Sequence, residues 1–279
     1  MVGGDLRKAF YERDVERDYA LIDELSGFKR RLGLQALKNL DLPLASVLLL
    51  QGISFYQCWE HPLILSYFDF KEGVSVLDVG GRKSTFPLHL RCRGCEVHVV
   101  DIDPRVVIQE KYARYLGKGE WINDGFYAYV QDATATEYPS DFFDVITAIS
   151  SAEHFPGDGD IEFAREASRI LKPGGRLFLS FGVGEYSEWR WEWLFCRTYD
   201  ERALHKRIIE PSGLTEEARM YFEGSNTRRF TERWFRLPRV IRNGVLGWMQ
   251  VPLYKRLYHK DEAGREGLGY YMGLILRKD

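Results

Sequence analysis

Between residues 74 and 181, short continuous apolar runs alternate with segments whose apolar positions recur every three or four residues. Continuous runs are typical of strands buried on both faces of a parallel sheet, and the second pattern is typical of amphipathic helices. We predict strands at 74–79, 96–101, 126–131, 143–149 and 175–181. We predict helices at 84–93, 104–116 and 159–171. The alternation favours an α/β fold with a doubly wound, mostly parallel sheet.

The pattern changes on both sides of this region. Apolar residues keep a loosely helical spacing from about residue 5 to 70, so we expect a helical N-terminal extension over 1–70 and the main domain over 71–279. Downstream, the pattern predicts an aromatic-rich helix at 186–196, a helix at 199–209, strands at 215–223 and 270–276, and an insertion at about 225–260. The predicted strands total seven.

Two of the predicted strands end in acidic residues. The first contains Asp78 and continues into Gly80 and Gly81, and the second ends at Asp101, followed by Ile102. Glycines just after a strand allow the backbone to bend tightly and approach a ligand closely. A carboxylate at the tip of the next strand can accept hydrogen bonds from both ribose hydroxyls. The pair predicts a nucleoside-containing cofactor, while capping of the next helix is the alternative for Asp78.

Composition narrows the class of protein. The 279 residues carry a net charge of −2, which gives no overall attraction to nucleic acid or membrane. The first 18 residues are strongly charged, unlike a signal peptide. Four cysteines in this length do not suggest a disulfide framework, and Cys92 and Cys95 form a lone CxxC pair that we expect to be incidental. These features favour a reducing, cytoplasmic setting.

Five segments occur in the order and at the spacing of a known family. They lie at 76–81, 101, 131–133, 142–146 and 170–175. Together they resemble the class I S-adenosylmethionine-dependent methyltransferases, and the resemblance covers about residues 55–223 and the last strand. It implies a seven-stranded Rossmann-like sheet with an antiparallel last strand. It also implies S-adenosylmethionine as the cofactor, bound at the carboxyl ends of the strands.

The resemblance assigns roles around this cofactor. Asp132 would accept a hydrogen bond from the adenine amino group, and the backbone at Ala133 would pair with a ring nitrogen. The family's loop after the first strand carries three glycines at alternate positions, whereas here Gly80 is followed by Arg82 and Ser84. We place both residues at the cofactor, with Arg82 either pairing with the cofactor carboxylate or pointing to solvent.

The segment 150–155 follows the fourth predicted strand, where family members meet the methyl acceptor. Glu153 and His154 resemble a pair found in methyltransferases that act on quinones and other small hydroxylated molecules. His154 is a candidate general base because imidazole titrates near neutrality, and packing against the sheet edge is the alternative. In some of those enzymes an acid three residues before the glutamate completes a metal site. Ser150 stands there, so we expect no metal and group Ser150 with the cofactor site.

Two aromatic regions are candidates for closing the site. Tyr56 and Trp59, just before the first strand, would either fold over the cofactor or pack under the sheet. Residues 228–260 contain nine Lys or Arg and one acid, interleaved with aromatics that include Trp234 and Trp248. This segment is a cap over the acceptor pocket, a membrane interface into which both tryptophans insert, a site for a phosphorylated or lipid-linked acceptor, or a nucleic-acid surface.

The sequence therefore predicts methyl transfer from S-adenosylmethionine to a small-molecule, sugar or lipid-linked acceptor, on oxygen in preference to nitrogen or carbon. Nucleic acid is the less favoured partner, because no Asn/Asp-Pro-Pro-Tyr/Phe tetrad of amino-methylating DNA enzymes follows the fourth strand. Two alternatives stay open. One is a binding protein that keeps the fold without catalysis, and the other is an NAD-type oxidoreductase, although the loop lacks GxGxxG.

Overall fold

The alternating region folds into one seven-stranded sheet, as predicted. The computed structural model describes residues 14–50, 53–54, 56–82, 84–115, 125–191, 194–222, 233–234, 236–238, 241, 246–257 and 271–279. The strands of the sheet are β1 (Ser75–Val79), β2 (Glu96–Asp101), β3 (Phe126–Val130), β4 (Phe143–Ile149), β5 (Leu171–Gly182), β8 (Thr215–Phe222) and β9 (Tyr271–Arg277). Two further strands, β6 (Ser187–Trp191) and β7 (Leu194–Thr198), form a separate hairpin.

The strand order in the sheet is β3-β2-β1-β4-β5-β9-β8. The first five strands pair in parallel, whereas β9 runs antiparallel between β5 and β8, which confirms the predicted last strand. The chain moves outward from β1 to β3 and then returns to place β4 on the other side of β1. A crevice forms at such a switch point, at the carboxyl ends of β1 and β4, and ligands of open α/β sheets bind there.

Helices cover the sheet, and three of them form the part of the chain that precedes β1. They are α1 (Val15–Lys38), α2 (Leu42–Leu50), α3 (Gln57–Tyr67), α4 (Phe86–Cys92), α5 (Ile108–Arg114), α6 (Gly159–Ile170), α7 (Glu201–Leu204), α8 (Glu210–Ser212) and α9 (Gln250–Leu257). A π-helical segment, His205–Ile209, joins α7 to α8.

The N-terminal helices share a core with one face of the sheet. Asp14 caps α1 by accepting a hydrogen bond from the backbone of Arg17. Phe28 and Leu32 belong to the apolar stripe of that helix and are buried. These side chains join one hydrophobic cluster with Val76 of β1. Leu77, the next residue of the strand, points into the cluster on the opposite face. Residues 1–13 of the predicted extension lie outside the described part of the chain.

The prediction of a helix at 186–196 is wrong. This stretch holds β6 and the start of β7, paired antiparallel with Trp189 opposite Cys196. Charged and aromatic residues alternate with a period of two from Glu188 to Trp191, a pattern typical of a strand, and aromatics favour strands. The next helix begins at Glu201 instead of 199, because Asp200 accepts a hydrogen bond from the Ala203 backbone and caps it.

Half of the predicted insertion at 225–260 lies outside the described residues. Its described part includes α9 and a 3-10 turn, Gly247–Met249. Trp234 is 5% exposed, so the expectation that it inserts into a membrane is wrong, whereas Trp248 is 61% exposed. In the described ranges, no helix has both the length and the apolarity to cross a bilayer.

Candidate active site

The turn after β1 requires glycine for two reasons. Gly80 has a φ of +77°, and a Cβ atom there would lie 2.2 Å from the Ser151 hydroxyl oxygen. At Gly81, a Cβ atom would lie 2.0 Å from a carboxylate oxygen of Asp78. The turn therefore excludes a side chain at both positions, because atoms of the protein fill the space that a Cβ atom would need.

Asp78 lies beneath this turn, inside the sheet. It is 3% exposed and accepts a hydrogen bond of 2.7 Å from the Thr147 hydroxyl on β4. Burial raises the pKa of this carboxyl to about 7, against the smaller opposing effect of the threonine hydrogen bond. The side chain therefore joins β1 to β4 at the switch point, and its contact with a cofactor stays a prediction.

Asp101 ends β2 at the same edge. One of its oxygens accepts a hydrogen bond of 2.8 Å from the Asp103 backbone. Ile102, between them, is 72% exposed and offers an apolar surface beside the carboxylate. Arg82 donates a hydrogen bond to the Asp103 side chain, so the arginine is engaged with the protein and not simply directed to solvent. A role for Arg82 toward the cofactor carboxylate stays a prediction.

A residue that the sequence did not reveal holds the turn together. Gln109 of α5 is fully buried, and its amide nitrogen donates hydrogen bonds of 2.6 Å to the backbone oxygens of Gly81 and Ser84. These two bonds fix the turn where the family has further glycines. A lone glutamine on the inner side of a helix gives no sequence signal, because its partners are set only by the fold.

The loop after β3 supplies the next candidates. Asp132 is exposed, and one of its oxygens accepts hydrogen bonds from the backbone and hydroxyl of Thr134, while Ala133 is buried. Beside them, the side-chain oxygen of Gln131 is buried and has no hydrogen-bond partner among the described residues. Bare backbone, two carboxylates and an unpartnered amide oxygen at one sheet edge fit the ribose and adenine of a nucleoside.

Ser150 lies on the other side of the switch point, in a buried polar cluster. Its φ is +48°, and its hydroxyl contacts the Tyr271 hydroxyl and, at 3.3 Å, Glu60. The same Glu60 oxygen accepts hydrogen bonds of 2.6 Å from Ser180 and 2.9 Å from Tyr271. Burial raises the pKa of Glu60. The sequence did not indicate Glu60, Ser180 or Tyr271, which lie far apart along the chain.

Trp59 of α3 and Tyr56 just before it, the two aromatic candidates for closing the site, differ in burial. Trp59 is 1% exposed and lies in the core, edge-on to the Tyr271 ring. Tyr56 is half-buried, and its ring centroid lies 4.8 Å from that of Tyr271. Trp59 therefore packs under the sheet, the alternative weighed for it, and a lid role for Tyr56 stays a prediction.

His154 lies on a 3-10 turn, Ala152–His154, after β4. Its Nδ1 atom is 2.8 Å from the backbone oxygen of Phe195 in the hairpin. Because a carbonyl can only accept, Nδ1 carries the proton and the neutral ring keeps its lone pair on Nε2. Partial burial lowers the pKa of His154, which favours that neutral form.

Glu153 accompanies His154 but is buried. Its Oε1 atom lies 3.9 Å from His154 Nε2, beyond hydrogen-bond distance, and its Oε2 atom has no partner among the described residues. Burial raises the pKa of Glu153 to about 8, and the nearby Glu60 adds to the shift. Across the described ranges, no group of three or more His, Cys, Asp or Glu side chains could hold a metal ion.

The sheet edge thus has two halves. We call Gly80, Gly81, Asp101 and Asp132 the cofactor half, because the cofactor is predicted to bind there, and Glu60, Ser150, Glu153 and His154 the acceptor half. The sequence grouped Ser150 with the cofactor site, whereas its hydroxyl lies in the cluster around Glu60, and its contact with the cofactor stays a prediction. A glycine turn after β1 and an acid after β2, on this strand order, define the class I S-adenosylmethionine-dependent methyltransferase fold, which confirms the predicted fold class.

Comparison with known proteins agrees with this class. Residues 77–179 match the family described as "Methyltransferase domain", so the chain carries such a domain. The ubiquinone biosynthesis O-methyltransferase of Xanthomonas oryzae pv. oryzae (strain PXO99A) is 32% identical over 124 residues, 43% of this chain and 49% of that protein. The chain therefore spans about half the length of the curated relatives that it matches.

Solved structures share the fold at low sequence identity. A putative sarcosine dimethylglycine methyltransferase from Galdieria sulphuraria has a TM-score of 0.55 and 14% identity, covering 79% of this chain and 84% of that chain. The cyclase SpnF has a TM-score of 0.54 and 23% identity, covering 78% of this chain and 79% of that chain. These likenesses extend the fold assignment to most of the chain.

Proposed function

We propose that this protein transfers the methyl group of S-adenosylmethionine to a hydroxyl oxygen of a small-molecule acceptor. The observation that carries the proposal is the state of His154, whose Nδ1 atom is held by the Phe195 carbonyl and whose Nε2 atom keeps a lone pair beside the switch point. A curated relative named as an O-methyltransferase supports the choice of oxygen.

The cofactor half would hold S-adenosylmethionine, which supplies an activated methyl group on a sulfonium. Asp101 accepts hydrogen bonds from the ribose hydroxyls through its second oxygen, and Asp132 accepts one from the adenine amino group. Ile102 gives an apolar surface, and Ala133 offers its backbone. Asp78, Arg82 and Ser84 complete the turn around Gly80 and Gly81.

The acceptor half would take up the proton that the acceptor hydroxyl loses. S-adenosylmethionine would supply the methyl group with loss of its carbon–sulfur bond, and Nε2 of His154 would accept the proton of the acceptor hydroxyl. Alignment of the two reactants supplies much of the rate enhancement, because an in-line transfer needs little other chemistry. Glu153 stays protonated near neutrality at its raised pKa, so it adds no negative charge beside the reacting oxygen.

Binding and transfer experiments test this proposal. Calorimetry with S-adenosylmethionine, S-adenosylhomocysteine and NAD comes first, followed by labelled-methyl transfer to panels of phenols, sugars and lipid extracts. We expect binding of the first two ligands and transfer to a phenolic or other small hydroxyl compound. Binding of NAD alone would indicate an oxidoreductase, and binding of S-adenosylmethionine without transfer to any panel would indicate a non-catalytic protein.

We propose as a second, weaker element that the insertion contacts anionic membrane, where a lipid-linked acceptor would be found. Trp248 is 61% exposed on the turn before α9, although Lys255 of that helix is paired with Asp23. Sedimentation with anionic vesicles should show binding that salt weakens, because each basic residue near the surface contributes about 1 kcal/mol. Trp248→Ala should reduce this binding and Lys255→Ala much less; no binding to anionic vesicles at low salt would refute the element.

A further inference from the structure

The β6–β7 hairpin lies against the turn that carries His154. Phe195 of β7 provides the carbonyl that accepts the proton of His154 Nδ1. The hairpin is a separate two-stranded sheet, and such a hairpin is at best marginally stable alone. Its position therefore depends on the contacts that its side chains make with the rest of the protein.

One fully buried side chain makes several of these contacts. Arg197 of β7 has 0% exposure, and its guanidinium lies 4.9 Å from the Phe195 ring centroid. It donates hydrogen bonds of 3.2 Å to the Phe155 backbone oxygen and 2.7 Å to the Gly157 backbone oxygen. Both carbonyls belong to the loop that directly follows His154. Arg197 thus fastens the strand that holds the Phe195 carbonyl to the segment that holds His154.

The charge of Arg197 is balanced inside the protein. Its Nη1 atom lies 3.0 Å from Asp160 at the start of α6, which is also fully buried. Asp160 further accepts hydrogen bonds of 2.9 Å from the Tyr199 hydroxyl and 2.8 Å from Arg207. Burying an ion pair costs desolvation free energy, and such pairs can serve to hold the surrounding segments in one geometry.

We infer that Arg197 is a positioning residue, which presents the Phe195 carbonyl to His154 Nδ1 and thereby fixes the ring tautomer that leaves the lone pair on Nε2. The planar fork of arginine reaches two carbonyls and two carboxylates, Asp160 and Glu188, at once, which a lysine cannot do. The benefit to catalysis rests on the proposed function, whereas the tautomer is a property of the protein alone.

Nuclear magnetic resonance of the full chain with isotope-labelled histidine tests this inference without substrate. Two-bond proton–nitrogen correlations report which ring nitrogen is protonated, and the spectrum of His154→Gln identifies the His154 signals among those of the six histidines. We expect the Nδ1-protonated tautomer of His154 to dominate in the parent protein. In Arg197→Met, the two tautomers should become mixed and the His154 titration should shift.

The matched control is substitution of Arg207, the other arginine that pairs with the Asp160 carboxylate. Arg207 pairs with Asp160 and with the Gly157 oxygen, but it makes no hydrogen bond to the hairpin or to Phe155 in the described structure. Arg207→Met should therefore leave the His154 tautomer unchanged. An unchanged tautomer in Arg197→Met, or an equal change in both variants, would overturn the inference. If Arg197→Met does not fold, Arg197→Lys takes its place, and it should shift the tautomer in the same direction to a smaller extent.

Turnover separates this inference from the proposed function. With a working acceptor, Arg197→Met should lower kcat about 10-fold or more, since a general base contributes roughly 100- to 10,000-fold. The KM for S-adenosylmethionine should not change, because the cofactor half is untouched. A tautomer that depends on Arg197 in a protein without methyl-transfer activity would uphold the inference and reject the function.

Discussion

The two halves of the site are built in different ways. In the cofactor half, the two carboxylates accept from neighbours in sequence, as where Asp101 accepts from Asp103, two residues away, and only the glycine turn has distant partners, such as Gln109. In the acceptor half, partners are distant: His154 and Phe195 are 41 residues apart, and Tyr271 and Glu60 are 211 residues apart. The half made of strand ends and turns is the one proposed to bind the cofactor, which stays the same whatever the acceptor is. A half assembled from remote elements can change its acceptor without altering the other.

The halves also differ in how they treat charge. Asp101 and Asp132 lie at partly or fully exposed positions, where a carboxylate can accept hydrogen bonds from a ligand. Glu60 and Glu153 are buried, and burial raises the pKa of both carboxyls. The difference predicts that substitutions in the two halves change different quantities, namely cofactor affinity in one and turnover and pH dependence in the other.

Loss of the proposed base should have the largest effect. His154→Gln should lower kcat about 100-fold or more, because it removes the group that accepts the hydroxyl proton. In the parent enzyme, turnover should fall on the acid side only below the ordinary histidine pKa of about 6.5, since burial lowers the pKa of His154 and the neutral ring is the active form. Initial rates against pH measure both effects.

The exposed His205 provides the control, since its side chain is 67% exposed on the π-helical segment. His205→Gln should leave rate and pH profile unchanged, and affinity for S-adenosylhomocysteine should stay the same in both variants. A His154→Gln enzyme with the parent pH profile would leave alignment alone as the catalytic mechanism.

The local half of the site could be predicted from sequence, and the distant half could not. Gly80, Asp101 and the positions of the strands follow from apolar runs and turn residues, because backbone conformation and strand burial are encoded locally, whereas the antiparallel last strand followed from the family resemblance. Glu60 lies within the apolar helix α3, and its partners become neighbours only when β5 and β9 pair. The sequence predicts a helix where the β6–β7 hairpin lies, because aromatic-rich segments occur in both helices and strands and only the spacing of their charged and aromatic residues separates the two.

The buried acid of the acceptor half should change the pH dependence of stability. In the unfolded chain Glu153 titrates near its ordinary pKa of about 4.3, and in the fold near 8, so the folded protein loses stability as pH rises between these values. Glu153→Gln removes this loss. The variant should be more stable than the parent above pH 8, by on the order of 5 kcal/mol at about 1.4 kcal/mol per pKa unit, and should approach it at pH 4.

Urea denaturation at several pH values measures this difference, and Glu166→Gln is a control of opposite sign. Arg169 and Thr136 hold the pKa of Glu166 below its ordinary value despite burial, so its charged form stabilises the fold at neutral pH. That variant should lose stability near pH 7 and lose less near pH 4. If the free energy of unfolding depended on pH equally in the parent and in Glu153→Gln, Glu153 would not be buried in its protonated form.

A smaller effect is expected from the acid that ends β2. Asp101→Ala should weaken binding of S-adenosylhomocysteine by about 1–3 kcal/mol, because the ribose hydroxyls lose a charged acceptor in a partly closed site. Calorimetry measures the change. Asp141→Ala is the control, since Asp141 is exposed, pairs with Lys278 and lies at the start of β4, at the opposite end of the sheet. Unchanged affinity in Asp101→Ala would remove this residue from the cofactor site.

The smallest effect should come from Asp132, and it separates the two acids of the cofactor half. Asp132 is exposed and already accepts two hydrogen bonds from Thr134, so water can replace a lost adenine contact. Asp132→Ala should weaken S-adenosylhomocysteine binding by about 0.5–1.5 kcal/mol, and Asp132→Asn should weaken it less, since the amide oxygen can still accept from the adenine amino group. Thr134→Val distinguishes loop geometry from direct contact: it removes the hydroxyl bond to Asp132 and leaves the carboxylate, so affinity should hold. A loss in Thr134→Val as large as in Asp132→Ala would show that Asp132 shapes its loop and does not contact the cofactor.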